Sequence, residues 1–285
     1  MKTNSPLRYP GGKASLTDLI RSIRDLNGLN GTDVAEPFAG GAGASLSLLY
    51  SAETRQIWLN DADPAIFDFW WSLIHRSDEF VRKLNDTPVT VDEWNRQRQT
   101  YLSKKKVSRL ERGFSAFFLN RCNRSGVIIN GGPIGGYEQA GDWKIDVRFN
   151  KNALVERCEK VAEYKGRIEV SNQDGIDFIQ DLDLDQVTLF IDPPYYSKGK
   201  LLYLNLLTKD YHERLAKLLR SMQDESWILS YDDCPEIRQL YDQWANVRPF
   251  SLRYTAAQKR SGHELLITPK WLALPTVQES GSIVW

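Results

Sequence analysis

The sequence has few cysteines, no excess of charge of either sign and no long apolar run. Its three cysteines, Cys122, Cys158 and Cys234, form neither a CxxC pair nor an even disulfide set, which favours a reducing, cytoplasmic setting. Lysine plus arginine and aspartate plus glutamate number 37 each, so any nucleic-acid-binding surface must be a local one. No apolar run approaches the length of a membrane span, and we expect no membrane partner.

Histidine is also scarce. His75, His212 and His263 show no ligand spacing with one another, with cysteine or with carboxylates. We therefore expect no metal centre, and we interpret each histidine as a surface residue or a satisfied core residue.

The first quarter of the chain alternates helix and strand patterns. A helical pattern (16–23) is followed by a strand-like segment (34–38), a glycine cluster and a second helical pattern (45–50). The next strand (57–59) ends at Asn60-Asp61. Strand, glycine loop, helix, strand and acid, in that order, predict the start of a doubly wound parallel sheet. Further strand patterns lie at 168–170, 187–191, 227–231 and 265–267, and a further helical pattern lies at 215–222.

Residues 76–150 break this alternation and carry a basic segment. We therefore predict one α/β domain, formed by residues 1–75 and 151–285, that is interrupted by a mainly helical insertion. The glycine-rich segment 130–136 predicts a hairpin or loop within the insertion. A solvated charged helix is the alternative interpretation of the basic segment. Between positions 96 and 124, Glu111 is the only acid, and the basic residues are Arg96, Arg98, Lys104, Lys105, Lys106, Arg109, Arg112, Arg121 and Arg124.

A glycine-rich loop, Glu36-Pro37-Phe38-Ala39-Gly40-Gly41-Ala42-Gly43, follows the first strand. Its glycines let the backbone approach a ligand, and the N-terminus of the next helix favours an anionic group. Asp61 lies about twenty residues further on, where an acid commonly binds ribose hydroxyls. A tight turn and a helix N-cap are the structural alternatives. Together the two features predict a cofactor that contains a nucleoside, of either the nicotinamide or the S-adenosylmethionine type.

The tetrapeptide Asp192-Pro193-Pro194-Tyr195 favours the second type. It follows the strand at 187–191 and is therefore expected at the carboxyl edge of the sheet. The carboxylate and a proline carbonyl can each accept a hydrogen bond from an exocyclic amino group, and Tyr195 offers an aromatic face to an extruded base. Held in this way, the amino nitrogen can become tetrahedral as a methyl group arrives. A Pro-Pro turn closed by a structural aspartate is the alternative.

The order of these motifs resembles that of the Dam-like DNA adenine N6-methyltransferases over nearly the whole chain. Arg8-Tyr9-Pro10-Gly11-Gly12-Lys13 is similar to the family's opening motif, whose aromatic residue and lysine contact the methionine end of the cofactor. Residues 36–43 resemble its cofactor loop, Asn60-Asp61 its ribose acid and residues 192–195 its catalytic motif. The resemblance implies a Rossmann-like class I methyltransferase sheet that binds S-adenosyl-L-methionine and releases S-adenosyl-L-homocysteine.

The resemblance also implies a set of cofactor-binding residues. Asp174 corresponds to the acid that contacts the cofactor's adenine, and helix capping is its alternative role. The usual signature Phe-x-Gly-x-Gly is altered at Ala42, which leaves open which backbone amides face the cofactor. The expected cofactor-binding residues are Tyr9, Lys13, Glu36, Phe38, Gly40, Gly41, Asp61, Asp174 and Asp192.

The segment 119–126 is similar to one in the family's target-recognition insertion, which implies that residues 76–150 bind DNA. Arginine and asparagine are the residue types that hydrogen-bond guanine and adenine edges, and lysines near the catalytic motif can contact phosphates. The target adenine is expected to be flipped out of the duplex. The expected DNA-binding residues are Arg121, Asn123, Arg124, Lys198 and Lys200, with Lys259 and Arg260 as weaker candidates.

Other functions stay open at this point. An RNA-adenine or protein-glutamine methyltransferase also presents an amino group to such a motif, although protein-glutamine enzymes usually carry asparagine at the position of Asp192. A nucleic-acid-binding module that has lost its transferase activity is a rival of another class, and it predicts a damaged motif. Cytosine-C5 methylation is disfavoured because no cysteine follows a proline. Asp232 and Asp233 either lie near the substrate or cap the following helix.

Overall fold

The computed structural model describes residues 4–8, 16–103, 105–196, 207–252, 263–276 and 283–284. Within these ranges the strands are β1 (Asp33–Glu36), β2 (Ile57–Asn60), β3 (Ile168–Ser171), β4 (Val187–Ile191), β5 (Ser226–Asp232), β6 (Asn246–Leu252), β7 (His263–Thr268) and β8 (Ile283–Val284). The α-helices there are α1 (Thr17–Leu26), α2 (Gly43–Tyr50), α3 (Pro64–His75), α4 (Ser77–Asp86), α5 (Val91–Leu102), α6 (Arg109–Cys122), α7 (Lys151–Glu163), α8 (Gly175–Asp181), α9 (Lys209–Ser221) and α10 (Pro235–Tyr241).

These strands form one sheet in the order β3-β2-β1-β4-β5-β7-β6-β8. The first five in this order run parallel, whereas β7 pairs antiparallel with β5 and with β6. The direction in which successive strands are added reverses between β1 and β4, where Val34 lies opposite Thr188. Ligands bind at the carboxyl ends of strands beside such a reversal. The loops after Glu36 and Ile191 are therefore the expected site.

The apolar run of β4 is explained by burial on both faces of the sheet. Leu189 and Ile191 point into a cluster that contains Leu215 of α9. Phe190 points the other way, into a cluster that contains Leu19 of α1. A central parallel strand that is covered on both sides is apolar at nearly every position, rather than at every second one.

The helices of the insertion share a core with the sheet. Phe80 of α4 and Phe117 of α6 belong to the same cluster as Phe69 of α3, and the rings of Phe69 and Phe117 stack with their centroids 5.8 Å apart. A Cβ atom on Gly113 of α6 would lie only 2.5 Å from the backbone of Asp68 in α3. The predicted helical character of the insertion is confirmed, and its apolar core is continuous with that of the α/β domain.

Candidate active site and nucleic-acid interface

The glycine loop after β1 is held by a buried carboxyl group. Glu36 accepts hydrogen bonds from the backbone N–H of Ser45, at 3.1 Å, and from the Ser45 hydroxyl. Burial raises the pKa of Glu36 to about 8, although the hydrogen bonds from Ser45 oppose this shift. The loop turns through left-handed conformations at Gly40 (φ 45°) and Ala42 (φ 46°). The altered position of the cofactor signature therefore coincides with a conformation that costs a non-glycine residue about 1–2 kcal/mol.

Asp61, at the end of β2, faces this loop. Its carboxylate accepts hydrogen bonds from the backbone N–H of Gly40 and from that of Asp63, each at 2.9 Å. The residue that caps α3 is Asp63, whose side chain accepts from the N–H of Ala65, so the N-cap interpretation of Asp61 is wrong. Burial, and then the nearby Asp63 carboxylate, raise the pKa of Asp61 to about 7.

The neighbouring Asn60 ties three strand ends together and is fully buried. Its Nδ2 donates to the carbonyl of Pro37 at 2.9 Å and to that of Gln173 at 3.1 Å. Its Oδ1 accepts from the Ser171 hydroxyl at 2.8 Å and from the Gln173 N–H at 2.9 Å. All four hydrogen-bonding positions of this amide are used. Asn60 thus fixes the loops after β1 and β3 against the end of β2.

Asp174 lies beside an aromatic pair after β3. It caps α8 by accepting from the N–H of Ile176 at 2.9 Å, and it also accepts from the Tyr211 hydroxyl at 3.1 Å. The capping role is therefore confirmed. The next residue, Gly175, packs against Phe38 so closely that a Cβ there would lie 2.4 Å from the ring. Phe38 also meets the edge of Tyr211, with centroids 6.5 Å apart. The loops after β1 and β3 thus meet around Phe38.

The tetrapeptide 192–195 follows β4 directly, on the other side of the glycine loop. Asp192 accepts a hydrogen bond from the Ser230 hydroxyl of β5 at 2.6 Å, and its charge acts on the buried Glu36. Pro193 is buried, whereas Pro194 and Tyr195 are partly exposed. Catalytic-motif and cofactor-loop candidates are thus brought to the same edge of the sheet.

Asp232 and Asp233, at the end of β5, have different partners. Asp232 is buried and accepts a hydrogen bond from the backbone N–H of Tyr196 at 3.0 Å. Asp233 binds the guanidinium group of Arg238 in α10, at 2.7 and 3.0 Å. The N-cap residue of α10 is Cys234, so neither acid takes the predicted capping position.

Two of the predicted base-reading residues are buried. Arg121 is 7% exposed and donates from Nε to the Arg148 carbonyl at 3.0 Å. Asn123 is fully buried; its Oδ1 accepts from Trp94 Nε1 at 2.6 Å and its Nδ2 donates to the Val127 carbonyl at 2.7 Å. The prediction that these side chains contact bases is corrected here, because their polar atoms serve the fold of the insertion.

The first residue of the opening motif is bonded to the insertion. Asn120 is fully buried, and it accepts from the backbone N–H of Arg8 and donates to the Arg8 carbonyl, both at 2.6 Å. It also donates to the Gly126 carbonyl at 3.0 Å. Gly126 has a φ of +76°, and a Cβ there would lie 2.4 Å from the Arg8 carbonyl oxygen. Asn120 and Gly126 thus hold residue 8 in place.

Part of the basic segment is neutralised within the protein. Arg112 and Arg109 of α6 pair with the fully buried Asp68 of α3, and Arg109 also lies over the Trp71 ring, 4.8 Å from its centroid. Glu111, the only acid of the segment, forms the capping box of α6. Arg121 is buried, as described above. Other basic residues of the segment are exposed and form no ion pair with any residue that the structure describes. They include Lys105, Lys106 and Arg124.

Six other predicted site residues lie outside the described residues: Tyr9, Lys13, Lys198, Lys200, Lys259 and Arg260.

In the described part of the chain, no group of three histidine, cysteine or carboxylate side chains could hold a metal ion. His212 is buried and bonds the Tyr231 hydroxyl. Among the helices of the described ranges, none combines the length and apolar character needed to cross a bilayer.

The strand order and the polar residues at the carboxyl edge of the sheet are those of a Rossmann-like methyltransferase. Comparison with known proteins gives the family. The model of the D12 class N6 adenine-specific DNA methyltransferases matches residues 9–258, so the chain belongs to this family. Its function is therefore methylation of adenine in DNA, as the motif order indicated, and the family uses S-adenosylmethionine. A comparison with curated proteins gave no match.

Two solved structures show distant likeness. A conserved hypothetical protein from Streptococcus pyogenes is 10% identical, with a TM-score of 0.35 over 88% of this chain and 96% of that chain. The rRNA methyltransferase aviRa from Streptomyces viridochromogenes is 13% identical, with a TM-score of 0.33 over 84% of this chain and 77% of that chain. Likenesses this weak leave the assignment to the family match.

Proposed function

We propose that the chain is a site-specific adenine-N6 DNA methyltransferase whose catalytic centre is residues 192–195. The observation that carries this proposal is the position of Asp192. Asp192 directly follows β4, a fully buried central strand. β4 pairs with β1, the strand that precedes the glycine loop, at the point where the order of strands reverses. The Asp192 carboxylate accepts a hydrogen bond from the Ser230 hydroxyl. This is where an α/β sheet of this topology binds its substrates.

The residues at this edge fit S-adenosylmethionine. A carboxylate can accept about four hydrogen bonds, and Asp61 uses two of these positions on Gly40 and Asp63, which leaves acceptors for two ribose hydroxyls. Because the Gly40 amide is occupied by Asp61, Gly41 and Gly43 are the glycines whose amides can face the cofactor.

The adenine of the cofactor would have two contacts. Phe38 offers it an apolar face, and the Asp174 carboxylate offers it a hydrogen-bond acceptor. Glu36 holds the loop, and Tyr9 and Lys13 belong to the opening motif.

In the proposed reaction, the cofactor supplies an electrophilic methyl group. The Asp192 carboxylate and the Pro193 carbonyl accept hydrogen bonds from the N6 amino group of a flipped adenine, and Tyr195 stacks on the base. Pro193 and Pro194 restrict the backbone, so these acceptors are held before the substrate arrives. Acceptors aimed at a nitrogen that gains positive charge stabilise the transition state more than the ground state.

Removing the Asp192 carboxylate is the decisive test. Purified protein is incubated with methyl-labelled S-adenosylmethionine and plasmid DNA that lacks adenine methylation, and the modified adenines are mapped. Asp192→Ala is expected to lower the rate at least about a hundredfold while DNA binding is retained. Asp185→Ala is the matched control, because this exposed acid lies before the amino end of the same strand, away from the ligand edge.

Three results would contradict the proposal. Full activity of Asp192→Ala would remove the catalytic role of the tetrapeptide. Label that enters RNA but not DNA would favour an RNA-adenine methyltransferase. A protein that binds DNA and transfers no label at all would be the lapsed binding module. The family match and the intact tetrapeptide favour the DNA enzyme.

A further inference from the structure

Two side chains of β5 hold both ends of the loop that carries the catalytic tetrapeptide. The Ser230 hydroxyl donates to Asp192 Oδ1 at 2.6 Å, before the prolines. Asp232 Oδ1 accepts from the backbone N–H of Tyr196 at 3.0 Å, after them. Ser230 and Asp232 are two positions apart on one strand, so they project to the same face of the sheet. They are 0% and 2% exposed.

The backbone itself offers little to hold this loop. Register between β4 and β5 runs up to Ile191 opposite Leu229. Beyond that pair come Pro193 and Pro194, which have no N–H and cannot extend a ladder of hydrogen bonds. Side-chain bonds from β5 stand where backbone bonds between the two strands would otherwise be.

The strand that provides these bonds is well anchored. On its other edge β5 pairs with β7 up to Asp232, which lies opposite Glu264. Its apolar side chains Trp227, Leu229 and Tyr231 are fully buried. A polar side chain within such a strand is expected to have a specific partner, because an unsatisfied buried hydroxyl or carboxylate is costly.

We propose that Ser230 and Asp232 are positioning residues for methyl transfer. Ser230 sets the rotation of the Asp192 carboxylate, and Asp232 sets the path of the chain on which Tyr195 is carried. This inference rests on the proposed catalytic role of residues 192–195. A structural role alone would lower the stability of the protein, whereas a positioning role lowers kcat without a matching loss of stability or of cofactor binding.

Five variants separate these roles. Ser230→Ala removes one hydroxyl, and its control is Ser72→Ala, which removes a fully buried hydroxyl that makes no hydrogen bond within the described residues. Asp232→Ala removes the acceptor of the Tyr196 amide, whereas Asp232→Asn keeps an oxygen that can accept the same bond. Asp233→Ala removes the adjacent acid, which binds Arg238 instead.

The assay measures kcat and KM with methyl-labelled S-adenosylmethionine and unmethylated plasmid DNA, together with cofactor Kd and Tm. Ser230→Ala is expected to lower kcat by about tenfold to a hundredfold, with cofactor Kd within about twofold of the wild type. Its Tm is expected to lie only a few degrees below that of Ser72→Ala, because Ser230→Ala removes one buried hydrogen bond and Ser72→Ala removes none. Asp232→Ala is expected to lower kcat about tenfold, and Asp232→Asn less than about threefold. Asp233→Ala retains wild-type kcat.

Three outcomes would overturn the proposal. One is wild-type kcat in both Ser230→Ala and Asp232→Ala although Asp192→Ala is inactive; the catalytic assignment would then stand without these positioning residues. Another is a loss of kcat in Ser230→Ala that is matched by a Tm far below that of Ser72→Ala. The third is an Asp232→Asn variant as slow as Asp232→Ala. An active Asp192→Ala variant would instead reject the catalytic assignment itself.

Discussion

The carboxyl edge of the sheet and the basic insertion both contain polar residues that the sequence singles out, but the structure uses them differently. At the sheet edge, Glu36, Asp61 and Asp192 lie around one loop cluster because topology forces the ends of neighbouring parallel strands together. In the insertion, Arg121 and Asn123 are buried and bond the backbone or Trp94. A polar residue after a buried strand is therefore a better guide to a site than a basic residue in a helical segment.

The largest effect on stability is expected at the contact between α6 and α3. A substitution there tests whether the insertion is part of the main core. In Gly113→Ala, the new Cβ would meet the α3 backbone at 2.5 Å, where no flexible side chain can give way. We expect a loss of about 3 kcal/mol in the free energy of unfolding, measured by urea denaturation. Gly132→Ala is the control, because its Cβ would meet no atom within 4 Å. A second unfolding transition, with the sheet unaffected, would show that the insertion is an independent domain.

A smaller loss of stability is expected when a buried polar side chain of the insertion is removed, and an exposed neighbour provides the comparison. Asn123→Ala leaves Trp94 Nε1 without its acceptor, and we expect a loss of about 2 kcal/mol of stability. The adjacent Arg124→Ala is expected to leave Tm unchanged and to weaken DNA binding, with the slope of log K against log salt reduced by about 1. A stable Asn123→Ala variant with weakened DNA binding would restore its predicted role in base reading.

The smallest effect concerns the sheet edge. Since burial raises the pKa of Asp61 to about 7, its charged form, the better acceptor for ribose hydroxyls, is lost as the pH falls below that value. We expect the affinity for adenosine to fall about tenfold between pH 8 and pH 6. Adenosine is the probe because it carries the ribose but no titrating amino-acid group. An affinity that is constant over this range would exclude Asp61 as the ribose acceptor.

The sheet could be predicted to a large extent because its signals are local. β1, β2 and β4 contain short apolar runs typical of buried strands, and the acids lie at the carboxyl ends of these strands or directly after them. The role of Ser230 was missed, although it had a signal: a hydroxyl between the apolar residues of a buried strand. Asn60 was recognised only as part of a motif, since its four hydrogen bonds come from loops that are distant in the sequence.

The insertion was less predictable for a physical reason. A count of lysines and arginines gives a charge but not the face of a helix on which each side chain lies. Arg112 faces α3 because the buried Asp68, more than forty positions earlier in the chain, needs a partner. Pairs between distant positions of this kind have no local pattern. The predicted helical character was correct because it depends on composition over a long segment.

The bonds between Asn120 and Arg8 have a consequence for the exchange of the insertion between relatives. Residue 8 is the first residue of the opening motif, and both of its backbone groups are held by the insertion. The insertion is therefore not a freely exchangeable cassette. Because these bonds use only the backbone of residue 8, a chimera that takes residues 76–150 from a relative has to supply an asparagine at position 120 and a glycine at position 126, whatever residue stands at position 8.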